Sequence, residues 1–173
     1  MMRFGWRDLN YLKKFENEFA KYHNRKYCLM IPSFKMSFFL TLEILGIKEK
    51  NEILIPQLSN NNFNKEILHI GIKPKFSEID MNNCCLCPGS LEKSISKKTK
   101  VVVCENLFGE IANINEIKKI CKKNNLLLIE DMSDAIGLRS QSNQIGKHGD
   151  VSICNFSIDK LITSGEGGAI LTD

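Results

Sequence analysis

The stretch "KVVVCENLFGEIANINEIKKICKKNNLLLIED", residues 100–131, decides the fold class. It begins with an unbroken apolar run, "VVVC", and ends with another, "LLLI", which two acids close. Runs of that length, apolar at every position, suit strands buried on both faces of a sheet. Between them "NINEIKKICKKNN" has apolar residues at helical spacing, and Lys118, Lys119, Lys122 and Lys123 lie toward its C-terminal end, where cations oppose the helix dipole. Strand, amphipathic helix and buried strand in that order form a unit whose two strands run parallel.

The same alternation extends in both directions. Toward the N-terminus, "YCLMI" (27–31) and "EILIP" (52–56) are predicted strands, and "KPKFSEID" (73–80) is an alternating one. The helices expected between them cover "FKMSFFLTLEILGI", ending near Gly46, then residues 59–70, then "PGSLEKSI", where Pro88 suits the first turn. In the first helix Leu9, Leu12, Phe15, Phe19 and Tyr22 recur at helical spacing and are expected to form one buried stripe. Toward the C-terminus, "VSICNF" and "AILT" are the last strands. The expected architecture is a three-layer α/β/α domain over residues 1–173 with a mostly parallel central sheet. The sequence shows no repeat, low-complexity tract or interdomain linker.

The composition agrees with a packed domain. Residues number 173, the apolar fraction is 43%, and ten Phe argue against disorder. The net charge of +4 is spread along the chain, and no basic stripe is interleaved with aromatics, which speaks against nucleic-acid binding. No apolar run approaches the ~20 residues of a membrane helix, and the acid-containing start is unlike a signal peptide, so a cytoplasmic address is expected. Four of the seven Cys (Cys28, Cys104, Cys121, Cys154) lie in apolar runs, as reduced core thiols do. Cys84, Cys85 and Cys87 in "NNCCLCP" lack the spacing and the fourth ligand of a zinc site, so no metal is expected there. No strand is followed by G-x-G-x-x-G or G-x-x-x-x-G-K, so a nucleotide-binding module is weakly supported.

In sheets of this kind ligands bind beyond the carboxyl ends of the strands. That rule selects Ser33-Phe34-Lys35, Gln57-Leu58-Ser59, Glu130-Asp131 and the loop bearing Lys160. Asp131 follows four apolar residues, where it serves either as a cap for "MSDAIG" or as a fixed negative charge facing a cationic ligand atom. Lys160, between "VSICNF" and "SGEGG", is either a solvated lysine or an amine whose apolar surroundings make it a nucleophile toward carbonyls. A lysine and an acid at neighbouring strand ends are the minimal equipment for pyridoxal phosphate: the amine for its aldehyde, the acid for its ring nitrogen. "PSFKMS" (32–37) supplies the strand-to-helix turn that binds an anion.

With those residues in place the chain resembles the nucleotide-sugar aminotransferases, the DegT/DnrJ/StrS group of fold-type-I pyridoxal-phosphate enzymes. The resemblance runs from "FENEFAKYHNRKY" through "LGIKEKNEILIP", "GIKPKFSEID", "SLEKSISKKTKVVV" and "NLFGEIANINEIKKICKKNNLLLIED". It closes on "GKHGDVSICNFSIDKLITSGEGGAILTD", with Lys-(x)₄-Gly-Glu-Gly-Gly the most specific part. By position Lys160 matches the lysine that condenses with the cofactor's aldehyde, Asp131 the partner of its pyridinium nitrogen, and Ser33 the first residue of a Ser-Gly-Thr phosphate turn. The resemblance implies an amino group passed from glutamate to a ketone on a nucleotide-linked sugar, in polysaccharide or lipopolysaccharide precursor synthesis. It also implies a dimer, or pairing with a homologous subunit. The resemblance implies that family members continue into a smaller C-terminal domain, and residues 1–173 are expected to correspond to the large domain without it.

The departures from the family fall around the expected cofactor. Phe34 replaces a glycine, and Lys35 replaces a hydroxyl donor while offering a cation to the phosphate. Asn155 stands for a phosphate-binding Ser and retains an amide donor. Asp134 stands where a His or Gln lies near the ring's phenolate oxygen, which a carboxylate would repel. Asn60 replaces an aromatic and Asn106 a His. The alternative to an active aminotransferase is therefore a truncated, catalytically impaired relative that serves as a scaffold or partner subunit of a full-length homologue.

Overall fold

Alternation along each central strand divides its side chains between two helical layers. In the computed structural model, which describes residues 9–59, 63–140 and 143–173, this division builds the core. The strands are β1 (Tyr27–Ile31), β2 (Glu52–Pro56), β3 (Lys73–Ser77), β4 (Thr99–Glu105), β5 (Leu127–Asp131), β6 (Arg139–Ser140), β7 (Asn143–Gln144), β8 (Val151–Asn155) and β9 (Gly168–Thr172). The helices are α1 (Leu9–Tyr22), α2 (Phe34–Ile44), α3 (Phe63–His69), α4 (Pro88–Ser94) and α5 (Ile114–Lys123). Ile53, Ile55, Val101, Val103 and Ile129 face α2 and α3 and pack on Phe38, Leu42 and Phe63. Leu54, Val102, Cys104 and Leu128 face the other way, onto Leu91 of α4 and Ile117 of α5. Helix α1 covers the same side further along, where Phe19 meets Cys154, Phe156 and Leu171.

Seven strands form one sheet in the order β1-β9-β8-β5-β4-β2-β3. The ladders β2–β3, β2–β4, β4–β5 and β5–β8 are parallel, and β9 runs antiparallel between β8 and β1. The expected three-layer, mostly parallel architecture is the one observed. Strand β3 is shorter than predicted and stops at Ser77. The two-residue strands β6 and β7 pair with each other outside the main sheet, and neither was anticipated. Strands that short carry too little periodicity to be seen in a sequence.

The buried stripe expected on α1 is only partly buried. Phe19 and Ala20 are in the core, but Leu12 is 40% exposed, Phe15 37% and Tyr22 46%. Phe15 stacks on Phe19 with ring centroids 5.1 Å apart and meets Phe156 edge-on at 5.9 Å, so the outer half of the stripe rests on the inner half and on the chain just past β8.

Two charged side chains tie loops to the core. Arg25 is buried and donates from Nε to Gly146 O (2.6 Å) and from Nη2 to Gly149 O (2.6 Å) and Ser152 Oγ (2.8 Å). Its Nη1 reaches Asp173 Oδ2 at 3.2 Å. Glu130, also buried, accepts from the backbone N–H groups of Gly146 (2.8 Å), His148 (2.8 Å) and Gly149 (3.1 Å). Both fix the loop that feeds β8, the strand that leads to Lys160. All seven cysteines are free thiols, and burial pushes Cys104 and Cys154 well above the ordinary thiol range, where they stay unreactive.

Candidate functional site

The carboxyl ends of β1, β5 and β8 bring the predicted residues to one rim of the sheet. Ser33 follows β1 and caps α2: its Oγ accepts from Met36 N at 3.2 Å. The cap sits close to the sheet because Gly168 of β9 lies between Ile31 and Asn155 in register. A Cβ at Gly168 would come within 3.0 Å of Phe34 N and Cα and would run into Ser37 Oγ. The glycine turn after Lys160 therefore does two jobs. Gly165, at φ +86°, turns the chain, and Gly168 lets the first turn of α2 rest on the sheet beside Asn155.

Asp131, the last residue of β5, is buried, and its Oδ1 accepts from Ser133 N (2.9 Å) and from Ser133 Oγ in a short bond. Ser133 Oγ in turn accepts from Asn155 N at 2.9 Å. Asn155 Oδ1 accepts from Ser157 N (2.9 Å) and Ser157 Oγ (2.6 Å), and Ser157 O accepts from Lys160 N at 3.0 Å. One hydrogen-bonded path thus runs from the acid on β5, across the end of β8, to the lysine loop.

Lys160 ends that path with its side chain only 1% exposed. Its Nζ lies 3.0 Å from Asp134 Oδ1, where the Asp134 side chain is 14% exposed, and 3.9 Å from Asp159 Oδ2. These residues wall a cavity of about 390 Å³, together with Phe108, Gly109 and Leu161. Burial pushes the Asp131 carboxyl up from its ordinary 3.8 to about 6. The bonds from Ser133 and the positive charge of Lys160 oppose the rise, and the charge of Asp134 adds to it. Asp131 and Lys160 therefore share one electrostatic neighbourhood.

The structure commits three of the departing residues to other partners. Lys35, expected to offer a cation to an anion at the turn, pairs through Nζ with Glu66 Oε2 of α3 at 2.9 Å and lies over the Phe39 ring. Phe34 packs edge-on against Phe63, with centroids 5.5 Å apart. Asn106 holds a loop: its N–H donates to Asp131 O (3.1 Å) and its Oδ1 accepts from Ala112 N (3.1 Å). Asn60 lies outside the described residues. Among the described residues no cluster of His, Cys, Asp and Glu is arranged to hold a metal, and no helix is long and apolar enough to cross a membrane.

Two residues of the rim escaped the sequence reading. Ser133 joins Asp131 to Asn155, and its signal was the Asp-x-Ser spacing of a side chain that accepts from the backbone two residues on. Glu105 is buried at the end of β4 and is the ladder neighbour of Asp131. Its signal was the acid that closes "KVVVCE", in the same way that Asp131 closes β5.

Comparison with known proteins follows the same lines. The chain is 32% identical over 164 residues to the GDP-perosamine synthase of Escherichia coli O157:H7, covering 95% of this chain and 45% of the relative. It superimposes on the aminotransferase from Psychrobacter cryohalolentis with a TM-score of 0.88 at 28% identity, over 92% of this chain and 41% of that one. It also superimposes on a GDP-4-keto-6-deoxymannose-3-dehydratase solved with a trapped pyridoxal phosphate–glutamate adduct, with a TM-score of 0.86 at 29% identity, over 94% and 44% of the two chains. The chain thus spans less than half the length of the relatives it matches. Pyridoxal phosphate is the cofactor that these relationships assign to the fold. Residues 4–173 match the DegT/DnrJ/EryC1/StrS aminotransferase family, and the chain belongs to it.

Proposed function

We propose that this chain is the cofactor domain of a pyridoxal-phosphate-dependent sugar aminotransferase, which moves an amino group from glutamate to the keto group of a nucleotide-linked sugar. The observation that carries the reading is the buried amine of Lys160 at a cavity on the carboxyl rim, within the electrostatic field of the buried acid of Asp131, with hydrogen bonds linking that acid to the backbone of the lysine loop. The donor set fits the cofactor. An amine suits the aldehyde, a carboxyl faces a ring cation, and the first turn of α2 suits the phosphate. When bound, the group supplies an electron-withdrawing ring that stabilises negative charge at the amino-bearing carbon.

The chain's own residues do the rest. With the group held, Nζ of Lys160 would be placed to take up and return a proton at the substrate carbon. A cationic nitrogen opposite Asp131 favours its ionised form and offsets the burial that pushes the carboxyl up to about 6. The N–H groups opening α2 are the donors that would hold the phosphate. Phe108 and Leu161 line the cavity with apolar surface and limit water near the amine. The reading places the reaction in the cytoplasm, in the supply of aminated sugars for surface polysaccharide, and expects a second copy or a homologous subunit to complete the assembly.

The test is direct. The protein mixed with pyridoxal phosphate should turn yellow, and borohydride should fix the label on Lys160. Lys160→Ala should lose the colour and show no preferred labelled peptide above the background of its exposed lysines. A wild-type chain that stays colourless, with Lys160 labelled no more than its exposed lysines, would overturn the reading and leave a partner-subunit role in its place.

A further inference from the structure

Asp134 makes a contact that the cofactor reading does not require. At a position next to a ring oxygen, a carboxylate is a poor choice; against the free lysine it is a good one. Its Oδ1 lies 3.0 Å from Lys160 Nζ, and the amine is almost wholly enclosed. Little water competes for either group, so the pair is far stronger than one on the surface. We propose that Asp134 is a latch on cofactor capture, a counterion that holds the Lys160 amine in an enclosed ion pair until an aldehyde reaches the cavity. This rests on the cofactor reading above and adds a regulatory role for one residue of the same cavity.

The chemistry sets the consequence. Condensation of an amine with an aldehyde forms a C=N bond, breaks the C=O bond and releases one water. The nitrogen lone pair must attack first, so an ammonium has to give a proton to solvent or to Asp134 before it can react. Every charged or titratable group that acts on Nζ bears on this. Asp134 is in contact, the Asp159 carboxylate is 3.9 Å away and mostly exposed, and Asp131 and the Cys154 thiol lie within its field. Asp134 combines the shortest distance with low exposure, so it dominates.

The experiment follows the rate of cofactor capture and not turnover. Full-length wild type, Asp134→Asn and Asp134→Glu are mixed with excess pyridoxal phosphate between pH 6.5 and about 10, the colour change is timed, and the borohydride label is mapped. Asp134→Asn removes the charge and keeps the shape. Near neutral pH it should capture the cofactor about tenfold faster than wild type, the low end for removing an opposite charge at this distance. The gap should close at alkaline pH, and Asp134→Glu should restore the slow rate. Equal rates for wild type and Asp134→Asn at every pH, or slower capture by a folded Asp134→Asn, overturn the latch. Asp134→Gln is the second amide variant. Should neither amide fold, Asp134→Ala takes their place, and capture no faster than wild type overturns the latch. Failure of the cofactor reading is distinct, because wild type would then show no preferred label at Lys160 over its exposed lysines.

Discussion

Replacing Asp131 with Asn should make the empty protein more stable while destroying its ability to hold the cofactor. Burial lifts this carboxyl from 3.8 to about 6. Each tenfold in a proton equilibrium is about 1.4 kcal/mol, so ionising Asp131 in the folded chain costs about 3 kcal/mol more than in the unfolded chain. The sign follows. Between these two values the folded chain holds the proton and the unfolded chain does not, so stability falls as pH rises from about 4 through about 6 and stays lower above it. Asn behaves like an acid that never ionises, and its Oδ1 can still accept from Ser133 N and Oγ. At pH 7.5 Asp131→Asn should therefore gain up to about 3 kcal/mol, or about 6–12 °C in Tm for a domain of this size. The assay is urea denaturation of wild type and variant across pH 3.5–8 without cofactor, read as the difference between the two curves, which cancels the other titrating groups. Added pyridoxal phosphate should then raise the Tm of wild type and leave the variant where it was. A difference that is flat with pH, or a variant less stable than wild type at pH 7.5, would falsify the reasoning and make Asp131 a structural cap.

Two further outcomes test the scaffold. Arg25→Lys keeps the charge but cannot reach Gly146 O, Gly149 O, Ser152 Oγ and Asp173 together, and it should cost about 3 kcal/mol in urea unfolding with the m-value unchanged. Phe34→Gly should lower stability by about 2 kcal/mol, through lost packing on Phe63 and a freer backbone, and should lower the Kd for pyridoxal phosphate in a fluorescence titration by letting the phosphate approach the turn.

The fold was legible where burial on both faces left an unbroken apolar run. "VVVC", "LLLI" and "EILIP" are strands in the sheet for the reason their sequences suggest: each sends alternate side chains into two cores. Legibility failed where an element is held from outside itself. The β6–β7 pair is too short to show a period, and β3 ends at Ser77 although alternation continues to Asp80, because the sheet stops there and not the pattern. Helix α1 shows the opposite error. Its stripe is real, but the surface it covers is narrower than the stripe, so Leu12 and Phe15 remain at the surface over a small apolar hollow with Met30 and Phe156.

At the site, residue type and position were legible, but bonding was not. Strand-end logic selected Lys160 and Asp131, and they share a neighbourhood because parallel register sets the end of β5 beside the end of β8. The same logic could not say that Asp134 would turn to the lysine, or that Lys35 would find Glu66, because a sequence gives each charge several partners within reach. This changes how the departures weigh. Taken as a count of altered positions around one ligand, they suggest a failing pocket. Taken by what each side chain touches, Phe34 packs a core ring, Asn106 holds a loop, and Asn155 remains in the path that links Asp131 to Lys160. A buried amine and a buried acid are costly when left half satisfied. Both are kept here, with Ser133 and Ser157 filling the gaps between them, and the cost of keeping Asp131 buried is the one that a bound ring cation would offset.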